Sequence, residues 1–173
     1  MRPRRTGSAS AVLGALVLAG CGSSAAIKTT TTTASTPAQF NTCSAVTQAE
    51  AASALGESVS PGQLGHATVE GGRACVFYGP SAPRPHDPNL PQADTVRVVI
   101  VKGPRAARYY EDYRSRVRAE AIAGYGGQAF FDGFASLNIL KGDAYLRVAV
   151  VPAGAPPSLA DEKKLAAGVL PRL

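Results

Sequence analysis

The amino-acid sequence predicts an α+β domain, an antiparallel β-sheet of about five strands with helices packed on it, in the order α-β-β-α-β-β-β-α. Two observations support this prediction. Runs rich in β-branched and aromatic residues, such as 95–101 and 144–151, are typical of strands. Segments with apolar residues at helical spacing stand before, between and after these runs.

Three segments are predicted to be helices. Residues 48–55 follow a capping box formed by Thr47 and Glu50, and Gly56 is a suitable C-terminal stop. Residues 105–122 form the second helix, ended by the glycines at 124–127, and one of its faces would carry Ala106, Tyr110, Tyr113, Val117 and Ala121. The third begins at a second capping box, Ser158 to Asp161, and presents an apolar stripe of Leu159, Leu165, Ala166, Val169 and Leu170.

The strands are predicted from β-forming runs bounded by turn residues. They cover 72–79, 95–101, 128–132, 135–140 and 144–151. A short hairpin at 141–143 joins the last two strands. Residues 80–91 contain five prolines in twelve residues. Because proline removes a backbone donor and restricts φ, this segment is predicted to be an irregular loop.

Residues 1–20 are predicted to be a lipoprotein signal peptide. Arginines at positions 2, 4 and 5 precede an apolar run about half as long as the ~20 residues that span a bilayer. The segment Leu18-Ala19-Gly20-Cys21 resembles the lipobox of bacterial lipoproteins. The resemblance implies cleavage before Cys21 and attachment of diacylglycerol to its thiol. An ordinary signal peptide with a chance cysteine is the alternative, and the sequence leaves open whether export is Sec or twin-arginine.

The mature chain is predicted to have two parts, and a lipid anchor would hold both at the outer face of the cell membrane. Residues 21–41 hold the lipidated cysteine and a disordered Thr/Ser-rich tether with a typical span of roughly 25 Å, and residues 42–173 form a single domain. Three arginines leave with the signal peptide, so the net charge of +6 falls to +3. The high pI therefore does not support nucleic-acid binding.

Cys43 and Cys75 remain as a pair once Cys21 is lipidated. In an oxidising compartment a disulfide closing a loop of about 30 residues would contribute about 3 kcal/mol. A zinc site and two free thiols are the alternatives. Zinc would need further ligands, and the only histidines are His66 and His86.

Several segments together resemble a family. After the lipobox and the tether come CSAVTQAEAASALG, RACVFYG, GYGGQAFFDG, LNILKGDAYLRVAVV and LADEKKLAAGVLPRL. Together they resemble small uncharacterised actinobacterial cell-envelope lipoproteins, and the resemblance implies that a cysteine before the first helix pairs with one on the first strand. The chain is also similar to the sensor domains of actinobacterial receptor kinases, whose second cysteine pair it lacks. Neither resemblance implies a catalytic residue.

The sequence predicts no catalytic, cofactor-binding or metal site. It contains no G-x-S-x-G, S-x-x-K, H-E-x-x-H or phosphate-cradling motif. His66 with Glu70, and His86 with Asp87, are the only candidate acid–base or metal pairs, and their glycine- and proline-rich surroundings favour plain surface groups. A non-enzymatic binding or sensing module is therefore the expected function. An envelope hydrolase and a lipid carrier are the alternatives.

A basic cluster is the sharpest candidate for contact with a partner. Its members are Arg97, Lys102, Arg105, Arg108, Arg114, Arg116 and Arg118. Acids at 111, 112 and 120 interleave them at helical spacing, as on a solvated face with ion pairs. The expected partners, besides membrane lipid at the Cys21 anchor, are an envelope protein, an anionic lipid or wall polymer, or a small ligand held near Tyr109, Tyr110 and Tyr113.

Overall fold

The computed structural model describes residues 40–173, so the signal peptide, Cys21 and most of the predicted tether lie outside the described residues. The described part is α+β, as predicted, but its sheet has seven strands rather than about five, and the order of elements differs. In chain order the elements are α1 (Gln48–Leu55), β1 (Gln63–Ala67), β2 (Gly72–Tyr78), β3 (Thr95–Lys102), α2 (Ala106–Arg114), β4 (Glu120–Ala121), β5 (Gln128–Phe131), β6 (Leu137–Lys141), β7 (Ala144–Val151) and α3 (Leu159–Val169), with short 3-10 helices at Thr42–Ser44 and Leu170–Arg172.

The sheet is antiparallel throughout, with the strand order β1-β2-β3-β7-β6-β5-β4. Its centre is the pairing of β3 with β7, which runs from Thr95 opposite Val151 to Lys102 opposite Ala144. Both strands are rich in valine and largely buried, which explains why they take the positions that are covered on both faces. This long-range pairing joins the first half of the chain to the second.

The two faces of the sheet are covered differently. Helices α1 and α3 pack on one face and bury the larger core, which includes Phe77, Val98, Leu137, Leu146 and Leu165. The other face is covered by α2 and by the proline-rich loop between β2 and β3. The residues buried beneath these two elements include Val76, Tyr78, Val101, Phe130 and Tyr145.

Helix α1 has the predicted bounds and the predicted caps. The Glu50 amide donates to the Thr47 hydroxyl at 3.2 Å, and the Thr47 amide donates to the Glu50 carboxylate at 2.9 Å, which completes the capping box. Gly56 ends the helix at φ +85°. The disulfide between Cys43 and Cys75 is formed, and it ties the segment before α1 to the middle of β2.

Helix α2 is shorter than predicted, because it ends at Arg114 rather than at residue 122. Glu120 and Ala121 instead form β4, in which Glu120 lies opposite Phe131 of β5. Pairing with β5, which local periodicity cannot reveal, supplies the main-chain hydrogen bonds of this segment. The glycines at 124–127 therefore lie in the connection from β4 to β5 and do not end a helix.

Two further differences have local causes. The sequence did not indicate β1, because its central glycine, Gly65, weakens the strand pattern. A side chain at Gly65 would clash with the main chain of Pro88, so the close approach of the proline-rich loop requires glycine there. The second capping box is not formed, since the Ser158 side chain makes no capping hydrogen bond. The apolar stripe of α3 is confirmed, and it also contains the buried acid Glu162.

Candidate functional site

An open cleft of about 660 Å³ lies at the end of the sheet where β3 leads into α2. This volume is within the ~300–1,000 Å³ range of small-molecule sites. The cleft is lined by the start of β2, the end of β3, the turn before α2 and the β6–β7 hairpin. Its charged residues are Arg73, Lys102, Arg105 and Asp143.

The fold positions these residues through neighbouring strand ends. Arg73 is the second residue of β2 and lies opposite Ile100 of β3, two residues before Lys102. Gly103, at φ +83°, then turns the chain into α2, and its amide donates to the main-chain oxygen of Asp143 at 2.8 Å. Arg105 directly precedes the helix. The β2–β3 register and one glycine turn therefore bring three cationic residues together.

Phe40 forms part of the cleft wall and marks where the N-terminal segment enters the domain. The Lys102 ammonium lies 4.8 Å from the centroid of the Phe40 ring, within the range of a cation–π contact. The same group donates to the main-chain oxygen of Leu173 at 2.8 Å. Nearby, the Thr42 hydroxyl donates to the main-chain oxygen of Arg73 at 2.7 Å. The segment that leads to the predicted tether is thus fixed against the cleft.

The electrostatics of the cleft favour an anion. Among the described residues that line it, three of the four charged side chains are cationic. The N-terminus of α2 adds partial positive charge, with no acidic residue in the first turn and no side-chain cap. The Arg105 side chain is exposed and makes no ion pair within residues 40–173. An anionic ligand would therefore meet positive charge on several sides.

A buried polar network beneath α2 supports one wall of the cleft. Glu70, in the turn between β1 and β2, forms an ion pair with Arg147 of β7. A second carboxylate, Asp132, lies 3.6 Å from the same guanidinium, which stacks over the Tyr113 ring at 4.5 Å from its centroid. Glu70 immediately precedes the two glycines that line the cleft, so the ion pair holds that wall in place.

The carboxylate of Asp132 is fully occupied by donors. One oxygen accepts from the amides of residues 134, 135 and 136 at 2.9–3.0 Å, and the other accepts from the hydroxyls of Tyr113 and Ser136 at 2.9 and 2.7 Å. Burial opposes ionisation, but the hydroxyl of Ser136 and the three amides outweigh it and lower the pKa of Asp132. A carboxylate saturated in this way stabilises the loop and is not poised to accept a proton from a substrate.

The structure does not bring the histidines together with the carboxylates that follow them in sequence. His66 is exposed on β1, and Glu70 turns instead to Arg147. His86 is half-buried and its ring stacks on Tyr78, with centroids 4.0 Å apart and planes 6° apart. The Asp87 carboxylate accepts from the Asn89 amide at 2.9 Å within the proline-rich loop.

The predicted basic cluster is dispersed in the structure. Arg97 is half-buried and donates to the main-chain oxygens of Pro88 and His66 at 2.7 and 3.1 Å. Two members pair with acids on α2 as expected, Arg108 with Asp112 and Arg114 with Glu111, each at 3.7 Å. Lys102 and Arg105 line the cleft. The members of the predicted cluster therefore lie in several separate environments and do not form one charged face.

The three tyrosines of α2 mainly pack the helix. Tyr110 is buried, with its ring centroid 5.1 Å from Phe130 and 5.7 Å from Tyr145. Tyr113 lies over Arg147, and burial raises its pKa to about 12. The Tyr109 ring packs so closely on Gly71 that a side chain there would collide with it. Tyr109 also borders a shallow depression of about 400 Å³ beside the cleft.

Sequence reasoning missed two residues of the cleft, Phe40 and Arg73. Phe40 falls inside the range predicted to be tether, and Arg73 is one polar residue in a strand run. Their meeting with Lys102 depends on the Cys43–Cys75 bond and on the β2–β3 register, both of which join distant parts of the chain. No local pattern carries that information.

Comparisons with known proteins add no relationship: no protein-family model, no curated protein and no solved structure matches this chain. In the part of the chain that the structure describes, no group of three or more His, Cys, Asp and Glu residues is placed to hold a metal ion. Within the same residues, none of the helices has the length and apolar character needed to cross a membrane.

Proposed function

We propose that this protein is a membrane-anchored extracytoplasmic lipoprotein whose domain is a non-enzymatic binding module. The observation that carries the proposal is the cleft of about 660 Å³, in which charged and apolar residues from separate elements converge. The anchor rests on the resemblance of residues 18–21 to a lipobox. We also propose that the protein is related to the small actinobacterial cell-envelope lipoproteins that its sequence resembles.

The position of Phe40 supports a connection between anchor and binding site. Phe40 lines the cleft and belongs to the segment that would lead back through the tether to Cys21. A flexible chain of about 20 residues has a typical span of roughly 25 Å. A ligand in the cleft would therefore be held close to the outer surface of the membrane.

The two alternative functions have weaker support. A hydrolase would need a histidine beside a free carboxylate or hydroxyl, whereas His86 stacks on Tyr78 and the Asp132 carboxylate is saturated. A lipid carrier would need an enclosed apolar cavity, whereas this cleft is open and has four charged side chains in its lining.

Fractionation of cells tests the anchor. We expect the chain to incorporate labelled fatty acid and to remain with the membrane, and Cys21→Ser to lose the label. Ser24→Ala, a change of similar size three residues away, should keep it. Equal labelling and membrane retention of Cys21→Ser would contradict the anchor.

Amide NMR with a library of small soluble fragments tests the binding module. Fragments that bind should shift the amide signals of Arg73 and Arg105, which line the cleft. The amide of Glu120, in β4 at the opposite edge of the sheet, should stay unchanged and acts as the internal control. Fragments that shift only β4, or a library without any hit, would contradict the cleft as a ligand site.

A further inference from the structure

We propose that the ligand of the cleft is a phosphate ester that carries a short apolar portion. This inference rests on the proposed function, because it names the chemical class that the same cleft would bind. The cations of the cleft, the first turn of α2 and the apolar part of the cleft wall support it through separate observations.

The cations suit a tetrahedral oxyanion. Arg73 on β2 and Arg105 before α2 line the cleft from different elements of the fold. Arginine binds phosphate oxygens through paired N–H donors, whereas lysine acts as a point charge. Lys102 supplies such a point charge in the same lining, with its ammonium held by the Leu173 oxygen and the Phe40 ring. A tetrahedral phosphate group suits donors that come from separate elements better than a planar carboxylate does.

The first turn of α2 has an unusual charge pattern. Basic side chains normally lie near the C-terminus of a helix, where they complement its dipole. Here Arg105 occupies the N-cap position, the first turn contains no acid, and Arg108 pairs with Asp112 one turn further along the helix. The arrangement places a positive side chain at the positive end of a nine-residue helix. An anion bound in the adjoining cleft would relieve this repulsion.

The apolar part of the wall is small. It consists of Phe40 and Pro104, together with the edges of Ile100 and Val101, which are 2% and 6% exposed. A surface of this size can cover a short alkyl or ring portion but not two long acyl chains. The shared chemistry is that of a free phosphate ester or of the head group of an anionic phospholipid in the membrane that holds Cys21.

Calorimetric titration of the lipidated chain in nonionic detergent tests this inference. The probes are hexyl phosphate, uncharged hexyl glucoside and monomeric dihexanoyl phosphatidylglycerol. We expect both phosphate probes to bind and hexyl glucoside to bind at least tenfold more weakly. Similar affinity for the two phosphate probes would show that a phosphate ester alone is sufficient for binding. Preference for the lipid probe would identify the membrane head group as the source.

Two variants locate the binding. Arg105→Gln should weaken hexyl phosphate binding about tenfold, since it removes one charge-assisted contact. The matched control Arg114→Gln removes the same charge at the far end of α2, about 13 Å along the helix, and should leave the affinity unchanged. Asp143→Asn removes the one acid among the described lining residues and should tighten binding about twofold to threefold.

The outcomes separate this inference from the proposed function. Binding of hexyl glucoside at the cleft as tight as that of hexyl phosphate, or equal affinities in Arg105→Gln and Arg114→Gln, would overturn the phosphate-ester assignment and leave the binding module standing. Failure of every probe to bind would likewise overturn the phosphate-ester assignment, whereas the binding module itself is overturned only if the fragment library also gives no hit in the cleft.

Discussion

Glu70 and Arg147 form an ion pair that fastens the β1–β2 turn to the central strand of the sheet. The side chains are 5% and 21% exposed, so the contact lies largely away from water. Burial alone would lower the pKa of Arg147. The negative charge of Glu70 is the largest of the effects that outweigh burial, and the pKa of the guanidinium is raised. Because the turn continues into the glycines of the cleft wall, the pair connects the stability of the sheet with the shape of the site.

The first prediction concerns this ion pair. Glu70→Gln should lower the free energy of unfolding by about 3 kcal/mol, because it leaves the buried charge of Arg147 short of a partner. Urea denaturation measures the loss. Glu111→Gln, which removes the partner of Arg114 on the exposed face of α2, should cost less than about 1 kcal/mol. Equal small losses in both variants would contradict a buried, stabilising pair.

The second prediction concerns the buried acid Glu162 of α3. Its side chain is fully buried. Burial raises the pKa of Glu162 to about 8, against the Val150 main chain, which favours the charged form; among residues 40–173 neither carboxyl oxygen completes a hydrogen bond. Between pH 4.5 and 8 the folded chain therefore binds a proton that the unfolded chain has released. Stability should fall across this window by as much as about 5 kcal/mol and stay level above it.

Denaturation curves over this pH range separate Glu162 from the other acids. Glu162→Gln cannot ionise, so most of the decline in stability with rising pH should disappear. Glu120→Gln, an exposed acid in β4, should keep the decline of the parent chain. Retention of the full decline in Glu162→Gln would show that another group causes it.

The third prediction concerns the disulfide between Cys43 and Cys75. The bond closes a loop of 32 residues, and α1, with eight residues, is too short to be stable alone. Reduction, or the double change to alanine, should lower the midpoint of thermal unfolding by roughly 10 °C, which corresponds to about 3 kcal/mol. Cys21→Ser, outside the domain, is the control and should leave the midpoint unchanged. A midpoint insensitive to reduction would contradict this role.

The fourth prediction concerns Glu50 and Arg172, which join α1 to the end of the described chain. The guanidinium donates to both carboxylate oxygens at 2.7 and 2.8 Å. These hydrogen bonds are the main cause that lowers the pKa of Glu50 to about 2. The stabilisation is thus present above pH 4.5 and is lost as the pH falls toward 2. Arg172→Gln should raise the pKa of Glu50, which NMR of its carboxyl carbon measures. The control Lys163→Gln should leave that pKa unchanged.

Much of the fold could be predicted wherever a local signal and the tertiary environment agree. The capping box of α1 and the β-branched runs of β3 and β7 specify those elements within a residue or so. The end of α2 could not be predicted, because β4 exists only through its pairing with β5. Glu162 was missed for a related reason: sequence patterns place glutamate in solvent, whereas α3 buries it in its apolar stripe.

Less of the candidate site could be predicted. Lys102 and Arg105 were recognised as members of a basic cluster, but as a solvated face and not as the lining of a cleft. The cleft also needs Arg73 and Phe40, which are brought in by strand register and by the contacts of the N-terminal segment. Sites assembled from residues that are distant in sequence depend on tertiary geometry that composition and periodicity do not encode.

Native mass spectrometry of the full chain, purified in nonionic detergent from the cells that produce it, tests most directly whether the cleft is a ligand site. We predict a small-molecule adduct on the parent chain and on Arg114→Gln, with occupancy strongly reduced in Arg105→Gln. A ligand-free mass for all three chains, or an adduct of equal occupancy in Arg105→Gln, would contradict the cleft as the binding site.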